Sequence, residues 1–304
     1  MPPPLNTRMP AAPRPHPPGP GGGRPPEGTD PMLTKIQSFY GFSKMPFGRD
    51  IAPGQLHRHH GHAEAVARLT WAITTRSLAV LTGEVGAGKT AAVRAALAGT
   101  DPVRYRPIYL PNPAGIGIRG ICQQVVIACG QAPRFHTGSL LPQAADALAA
   151  EAAERGRTPI LILDEAHQLD AAQLETIRML TSYDLDSVTC FAALLIGQPT
   201  LRTRLRLGVL AALDQRIGLR AHIDGMTRDE TASYISHHLA LAGRGSDTLF
   251  SDDAITLIHD TSRGLPRTVN NLCIQSLIAA CAAGHAIADQ AAARAAITEV
   301  TATP

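Results

Sequence analysis

The chain has few aromatic residues, no closely paired cysteines and no long apolar run, and each shortage removes a class of protein. Phe, Trp and Tyr make up only 4% of its 304 residues. The five cysteines, Cys122, Cys129, Cys190, Cys273 and Cys281, form no CxxC pair. They read as reduced core thiols rather than a disulfide framework. No apolar stretch reaches the roughly 18 residues of a membrane helix. The longest, SLIAACAAGHAIA at 276–288, is short and carries Gly284 and His285. The N-terminus lacks the apolar segment of a signal peptide. These shortages point to the cytoplasm and away from a membrane partner. The formal charge of +3 permits contact with nucleic acid without arguing for it. What is present is 44% apolar and 17% charged residues, with abundant alanine, which suits a globular protein rich in helix.

Half of the chain's 24 prolines fall within residues 1–31, together with GPGGG. Such a segment buries too little to offset its ordering entropy and is expected to be disordered. From Met32 the pattern becomes globular. HAEAVARLTWAITTR (62–76) repeats apolar residues at helical spacing, and SLAVLTG then reads as a buried strand. Further strands are expected at PIYL (107–110), PILILDE (159–165), FAALLIG (191–197) and QRIGLRAHI (215–223), with helices between them. Apolar strands alternating with helices imply an α/β fold with a five-stranded parallel sheet covered on both faces. After Gly225 only helices are expected, at about 228–241, 252–260, 266–283 and 289–299, the first opened by the capping box TRDE at 227–230. The expected organisation is a tail at 1–31, an α/β nucleotide-binding core at 32–225 and a helical lid at 226–304.

Four stretches carry chemistry. GEVGAGKT, Gly83 to Thr90, fits GxxxxGK[ST] between a strand and a helix. Its backbone amides, from Gly83, Glu84, Val85, Gly86, Ala87 and Gly88 into Lys89, Thr90 and Ala91, are placed to cradle phosphates. The helix N-terminus adds to the attraction. Lys89 reaches the β- and γ-phosphates, and the Thr90 hydroxyl ligands Mg²⁺. In ILILDEAH, the strand delivers Asp164 to the Mg²⁺ shell and Glu165 to the attacking water. Two adjacent carboxylates there suit hydrolysis rather than transfer: a small-molecule kinase needs no such glutamate and excludes water. In LLIGQP (194–199), Gln198 is either a sensor of the γ-phosphate or a satisfied polar residue at a strand–turn junction. In SRGLPRTVNNL (262–272), Pro266 suits the first position of a helix. Arg267 is then poorly placed for that helix's own dipole, which favours a reach toward the phosphates.

Together these stretches resemble an AAA+ ATPase, a P-loop NTPase fold with a helical lid, from about Met32 onward. More narrowly, YGFSKMPFGRD (40–50), GQPTLRTRL, LDQRI and GLPRTVNNL are similar to blocks of the ExeA/GspA-like group, which includes the TniB/TnsC- and MuB-type transposition ATPases. The resemblance implies ATP bound between core and lid and at a subunit interface of a homo-oligomer, either ring or filament. It also implies an arginine finger from the neighbouring subunit, carried over to Arg216, with Arg220 second. A surface ion pair is the alternative for Arg216. The implied partners are double-stranded DNA and an integrase-type transposase. The rival within the group is an ATPase for secretion or envelope assembly, whose chain continues past the ATPase into a membrane helix. Here the sequence is expected to end with the lid.

Weaker features carry two readings each. His57, His59, His60 and His62 could bind metal, but a solvated loop is the expectation. Arg202, Arg204 and Arg206 are either solvated or contacts to a phosphate backbone. Phe42 and Phe47 either wall the adenine or pack in a core.

Overall fold

The computed structural model describes residues 31–48, 50–181, 189–245 and 248–302. The expected disordered tail lies outside them apart from Pro31, which opens the first helix, α1 (Pro31–Tyr40). Strands β1 (Leu78–Gly83), β2 (Tyr105–Leu110), β3 (Thr158–Leu163), β4 (Ala192–Gly197) and β5 (Ile217–Ile223) form one sheet in the order β2-β3-β4-β1-β5. Every neighbouring pair is parallel. All residues of β1, β3 and β4 are buried, which is why their sequences are continuous apolar runs. The edge strands β2 and β5 are only partly buried. Strand β2 begins at Tyr105 rather than at the expected Pro107. An edge strand tolerates that proline because one row of its backbone groups needs no partner strand.

Alternate residues of β1 serve opposite faces, as the period of two requires. Ala79 and Leu81 pack with α2 (His60–Thr74) and α3 (Lys89–Ala98), through Leu69, Ile73, Ala92 and Ala96. Leu78 and Val80 belong to a larger cluster on the other face. It is filled from α4 (Gly117–Ala128), α5 (Thr137–Ala153), α6 (Ala171–Thr181), α7 (Thr200–Leu205) and α8 (Ala211–Arg216). The architecture is the expected α/β one, followed among the described residues by helices alone: α9 (Arg228–Leu241), α10 (Asp252–Ser262), α11 (Pro266–Ala282) and α12 (Gln290–Ala302). Among the described residues, no helix is long and apolar enough to cross a membrane.

These last helices have their own core, and the N-terminal segment joins it. Ile36, Tyr40, Phe42 and Phe47 are buried beside Ile235, Phe250, Val269 and Leu277. Phe47 stacks on His238 with ring centroids 5.2 Å apart. Core packing is therefore the role observed for Phe42 and Phe47. A division at 32–225 and 226–304 remains our proposal for the domains, with residues 36–47 attached to the second.

The sheet hands over to the lid through two glycines. The Met226 amide donates to the Gly264 carbonyl at 2.9 Å. A Cβ on Gly264, whose φ is +68°, would sit 2.0 Å from the Met226 carbonyl oxygen, and one on Gly225 would sit 2.0 Å from that of Arg263. No side chain fits either place. Beyond them, the Thr227 hydroxyl accepts from the Glu230 amide at 3.2 Å, and Glu230 accepts from the Thr227 amide at 2.9 Å, closing the expected capping box. The other oxygen of Glu230 accepts from the His60 amide at 2.9 Å, so one carboxylate caps α9 and ties it to the start of α2. Burial alone would raise the Glu230 pKa, but the amides of Thr227 and His60 outweigh it and the net shift is downward. We expect Gly264→Ala to destabilise the fold by at least about 3 kcal/mol, from backbone strain and the clash together. A thermal melt checks this, and an unchanged midpoint would contradict the close crossing.

Candidate nucleotide site

Strand β1 ends at Gly83, and the chain turns at once into the loop 83–88 before α3. Each glycine of the loop has a different reason to be there. A Cβ on Gly83 would meet the Ile223 carbonyl oxygen of β5 at 2.7 Å. One on Gly86, whose φ is +84°, would meet the Cβ of Arg267 at 2.8 Å. Gly88 adopts φ +94°, and an added Cβ there would find nothing within 4 Å, so its demand is conformational. The loop thus curls over the N-terminus of α3, where unpaired amides and the helix dipole favour an anion.

Lys89 opens α3 and is buried, its Nζ donating to the carbonyls of Gly83 and Glu84 at 2.9 Å each. Burial lowers its pKa, while Glu165, Asp164 and Glu84 act in the opposite direction. Thr90 Oγ1 donates to Asp164 Oδ2 at 3.2 Å. Because β3 delivers Asp164 to the same edge of the sheet where β1 delivers the loop, two hard oxygen donors meet there. That is the donor chemistry Mg²⁺ takes, with few protein ligands and the rest from water and phosphate. The open space at Gly88, the buried lysine and this oxygen pair fit a metal–triphosphate.

Glu165 follows with φ +54°, a left-handed conformation that is strained for glutamate. Its amide donates to Asp164 Oδ1 at 3.0 Å, which helps to fix it. Gln198 directly follows β4, and its amide lies 3.5 Å from His167 Nδ1. Arg267 comes from the lid: its amide donates to the Gly86 carbonyl at 3.3 Å. The structure therefore brings Lys89, Thr90, Asp164, Glu165, Gln198 and Arg267 to one edge of the sheet.

Arg216 is elsewhere. It ends α8 just before Ile217, which pairs with Leu78, whereas Ile223 at the far end of β5 pairs with Gly83. Arg216 is thus a whole strand, on the order of 20 Å, from its own phosphate loop. One of its guanidinium nitrogens donates to the Thr181 carbonyl at 3.3 Å. Arg220 is ion-paired with Asp214 at 2.9 Å within the chain.

Three contacts around these residues are not legible from the motifs. Tyr109, at the end of β2, donates its hydroxyl to Asp164 Oδ2 at 2.9 Å. Burial first, and the Asp164 carboxylate second, push its pKa up to about 12, so it stays a donor. His167 lies 3.4 Å from Glu165. Arg204 directs its guanidinium to the carbonyls of His167 and Leu169, so it braces this loop from α7 rather than standing solvated or facing a nucleic acid. Nothing in the residue pattern pairs Tyr109 with Asp164; only the β2–β3 register does.

The histidine-rich stretch needs a correction. Instead of a solvated loop, the segment leading into α2 packs against α9, with only His60 of the four histidines exposed. His59 and His62 are buried, His57 bonds Ser233 at 3.0 Å, and His237 bonds the Gln55 carbonyl at 2.7 Å. Among the described residues, no cluster of three or more His, Cys, Asp or Glu side chains is placed to hold a metal ion. Burial first, with neighbouring positive charge adding to it, pushes the pKa of both His62 and His238 down to about 4. The unfolded chain takes up these protons near pH 6.5 and the folded one only near 4, so stability present above about pH 6.5 should be lost as pH falls toward 4. The thermal midpoint should fall over that window, and less steeply in His62→Leu and His238→Leu. Equal slopes in all three proteins would contradict the burial of neutral rings.

Known proteins share parts of this sequence and this fold. Residues 73–205 match the family described as an AAA domain. The chain is 32% identical over 250 residues to General secretion pathway protein A of Aeromonas hydrophila, over 81% of this chain and 45% of that protein. It thus spans less than half the length of that relative. Cdc6p from Pyrobaculum aerophilum is similar in structure, with a TM-score of 0.60 and 18% identity, over 83% of this chain and 67% of that one. The origin recognition complex (ORC) of Drosophila, solved bound to DNA, has a TM-score of 0.62 and 16% identity, over 95% and 71%. Identities this low speak for the fold alone.

Proposed function

We propose that this chain, an AAA+ P-loop protein by its fold, binds and hydrolyses ATP as a subunit of a homo-oligomeric switch. The observation that carries the reading is the meeting of Lys89, Thr90, Asp164 and Glu165 at one sheet edge beneath a lid arginine, Arg267. In it, the amides of Gly83 to Ala91 wrap the phosphates and Lys89 neutralises the β- and γ-oxygens. Thr90 and Asp164 hold Mg²⁺, which when bound offsets the charge that develops on those oxygens. Glu165 takes the proton of the attacking water, Gln198 reads the γ-phosphate at the tip of β4, and Arg267 reports it to the lid. Arg216 acts on the nucleotide of the neighbouring subunit, since it is too far from its own. An arginine supplied in this way is worth ~10³–10⁵ in rate, or about 4–7 kcal/mol, so an isolated subunit is slow. The reading places the switch in the cytoplasm, where ATP and the buried unpaired cysteines are at home.

What the switch controls has two readings. The first is assembly on double-stranded DNA beside an integrase-type transposase, supported by the sequence blocks shared with the ExeA/GspA-like group, which includes the TniB/TnsC- and MuB-type ATPases. The second is assembly of a secretion or envelope complex, supported by the relative named for general secretion. Glu165→Gln is expected to bind ATP, stop turnover and trap the oligomer; normal turnover would sink the assignment of the base. The trapped oligomer should retain duplex DNA at low salt, where phosphate contacts are strongest. If the trapped oligomer forms but ignores DNA, the first reading fails and the second stands.

A further inference from the structure

His167 sits between Glu165 and the tip of β4 that carries Gln198. Its Nδ1 lies 3.4 Å from Glu165 Oε2 and 3.5 Å from the amide nitrogen of Gln198. The ring is largely shielded, with 13% of the side chain exposed against 42% for Glu165. Its backbone has no freedom to follow the ring. Arg204 grips the carbonyls on either side of the turn. On the β4 side, a Cβ on Gly197 would come within 3.0 Å of the His167 amide nitrogen. The turn and the strand tip are therefore pressed together at the main chain, and the imidazole is left as the polar link between them.

One nitrogen cannot serve both neighbours at once. To meet the Glu165 carboxylate, Nδ1 must carry a proton and donate it. To accept from the Gln198 amide, it must carry none. The distance to each partner is at the outer limit for a hydrogen bond, so a small shift of the β4 tip decides which bond forms.

We propose that His167 is a positioning residue for hydrolysis: through Nδ1 it aims the Glu165 carboxylate and makes that aim depend on the strand tip carrying Gln198. This rests on Glu165 being the base. A movement of Gln198 on meeting the γ-phosphate is passed to the water-activating carboxylate through a single imidazole nitrogen. ATP itself is held elsewhere, by the loop 83–88, Lys89 and Thr90, so His167 governs turnover and not binding.

The test compares His167→Ala, His167→Asn and His167→Gln in the full chain, with Glu165→Gln alongside. An asparagine amide falls near the place of Nδ1, and a glutamine amide nearer that of Nε2. His167→Ala should lower kcat about 10–100-fold, the usual cost of losing an orienting partner, with KM for ATP little changed. Asparagine should restore most of the rate and glutamine should not. The proposal is overturned if His167→Ala turns over like the wild type, if KM rises as kcat falls, or if asparagine does no better than glutamine. ATP binding followed by a fluorescent analogue should be equal in all three, which also shows that they fold. Full turnover in Glu165→Gln would instead remove the base assignment, independently of what the His167 variants do.

Discussion

All five strands of the sheet run the same way, and the rest of the molecule depends on that. A parallel sheet collects the C-terminal ends of its strands along one edge. Here that edge receives Gly83 from β1, Asp164 from β3 and Gln198 from β4, with β1 and β4 adjacent. The three buried strands fix those positions through packing on both faces, and Tyr109 and Arg204 brace the groups at their tips. The same rule sends the start of β5, and with it Arg216, to the opposite edge. Direction alone thus separates what can touch a subunit's own nucleotide from what cannot.

In the proposed switch, the lid is the second reader of the same loop. Arg267 packs so closely on Gly86 that a Cβ there would lie 2.8 Å from the Arg267 Cβ, and the Arg267 amide donates to the Gly86 carbonyl at 3.3 Å. Glu230 and the histidine-rich segment connect α9 to α2, and the N-terminal segment is folded into the lid core. A phosphate in the loop would therefore be felt in both layers and, in the proposed oligomer, in the neighbour. For nucleotide to move a population from 1:99 to 99:1, it must favour one state by ~5.5 kcal/mol. Shared contacts of that kind are a physical route to such a difference.

Much of this was legible in the sequence because it is local. The runs SLAVLTG, PILILDE and FAALLIG are apolar throughout because they are buried on both faces. GEVGAGKT and TRDE announce their own backbone geometry. What could not be read depends on register and packing. Pro107 looked like a strand start, and only its place on an edge lets Tyr105 precede it. Tyr109 looked incidental until β2 was set beside β3. The histidines of 57–62 look solvated as a string of polar letters, yet His57 meets a lid helix that lies far away in sequence and His59 and His62 are buried. Arg204 belongs to an alternating arginine series, and only the fold shows that its guanidinium braces the turn after Glu165.

The central claim is that a complete catalytic site needs two copies of the chain, one holding the phosphates and one offering Arg216. Mixing two inactive variants tests it most directly. Lys89→Ala lacks the phosphate lysine but keeps the arginine; Arg216→Ala keeps the loop but lacks the arginine. Each alone should hydrolyse ATP poorly. Mixed in equal amounts, they should regain about a quarter of the wild-type rate per subunit, because random neighbours form one complete site in about four across a head-to-tail interface. A mixture no faster than the sum of its two components would contradict the claim.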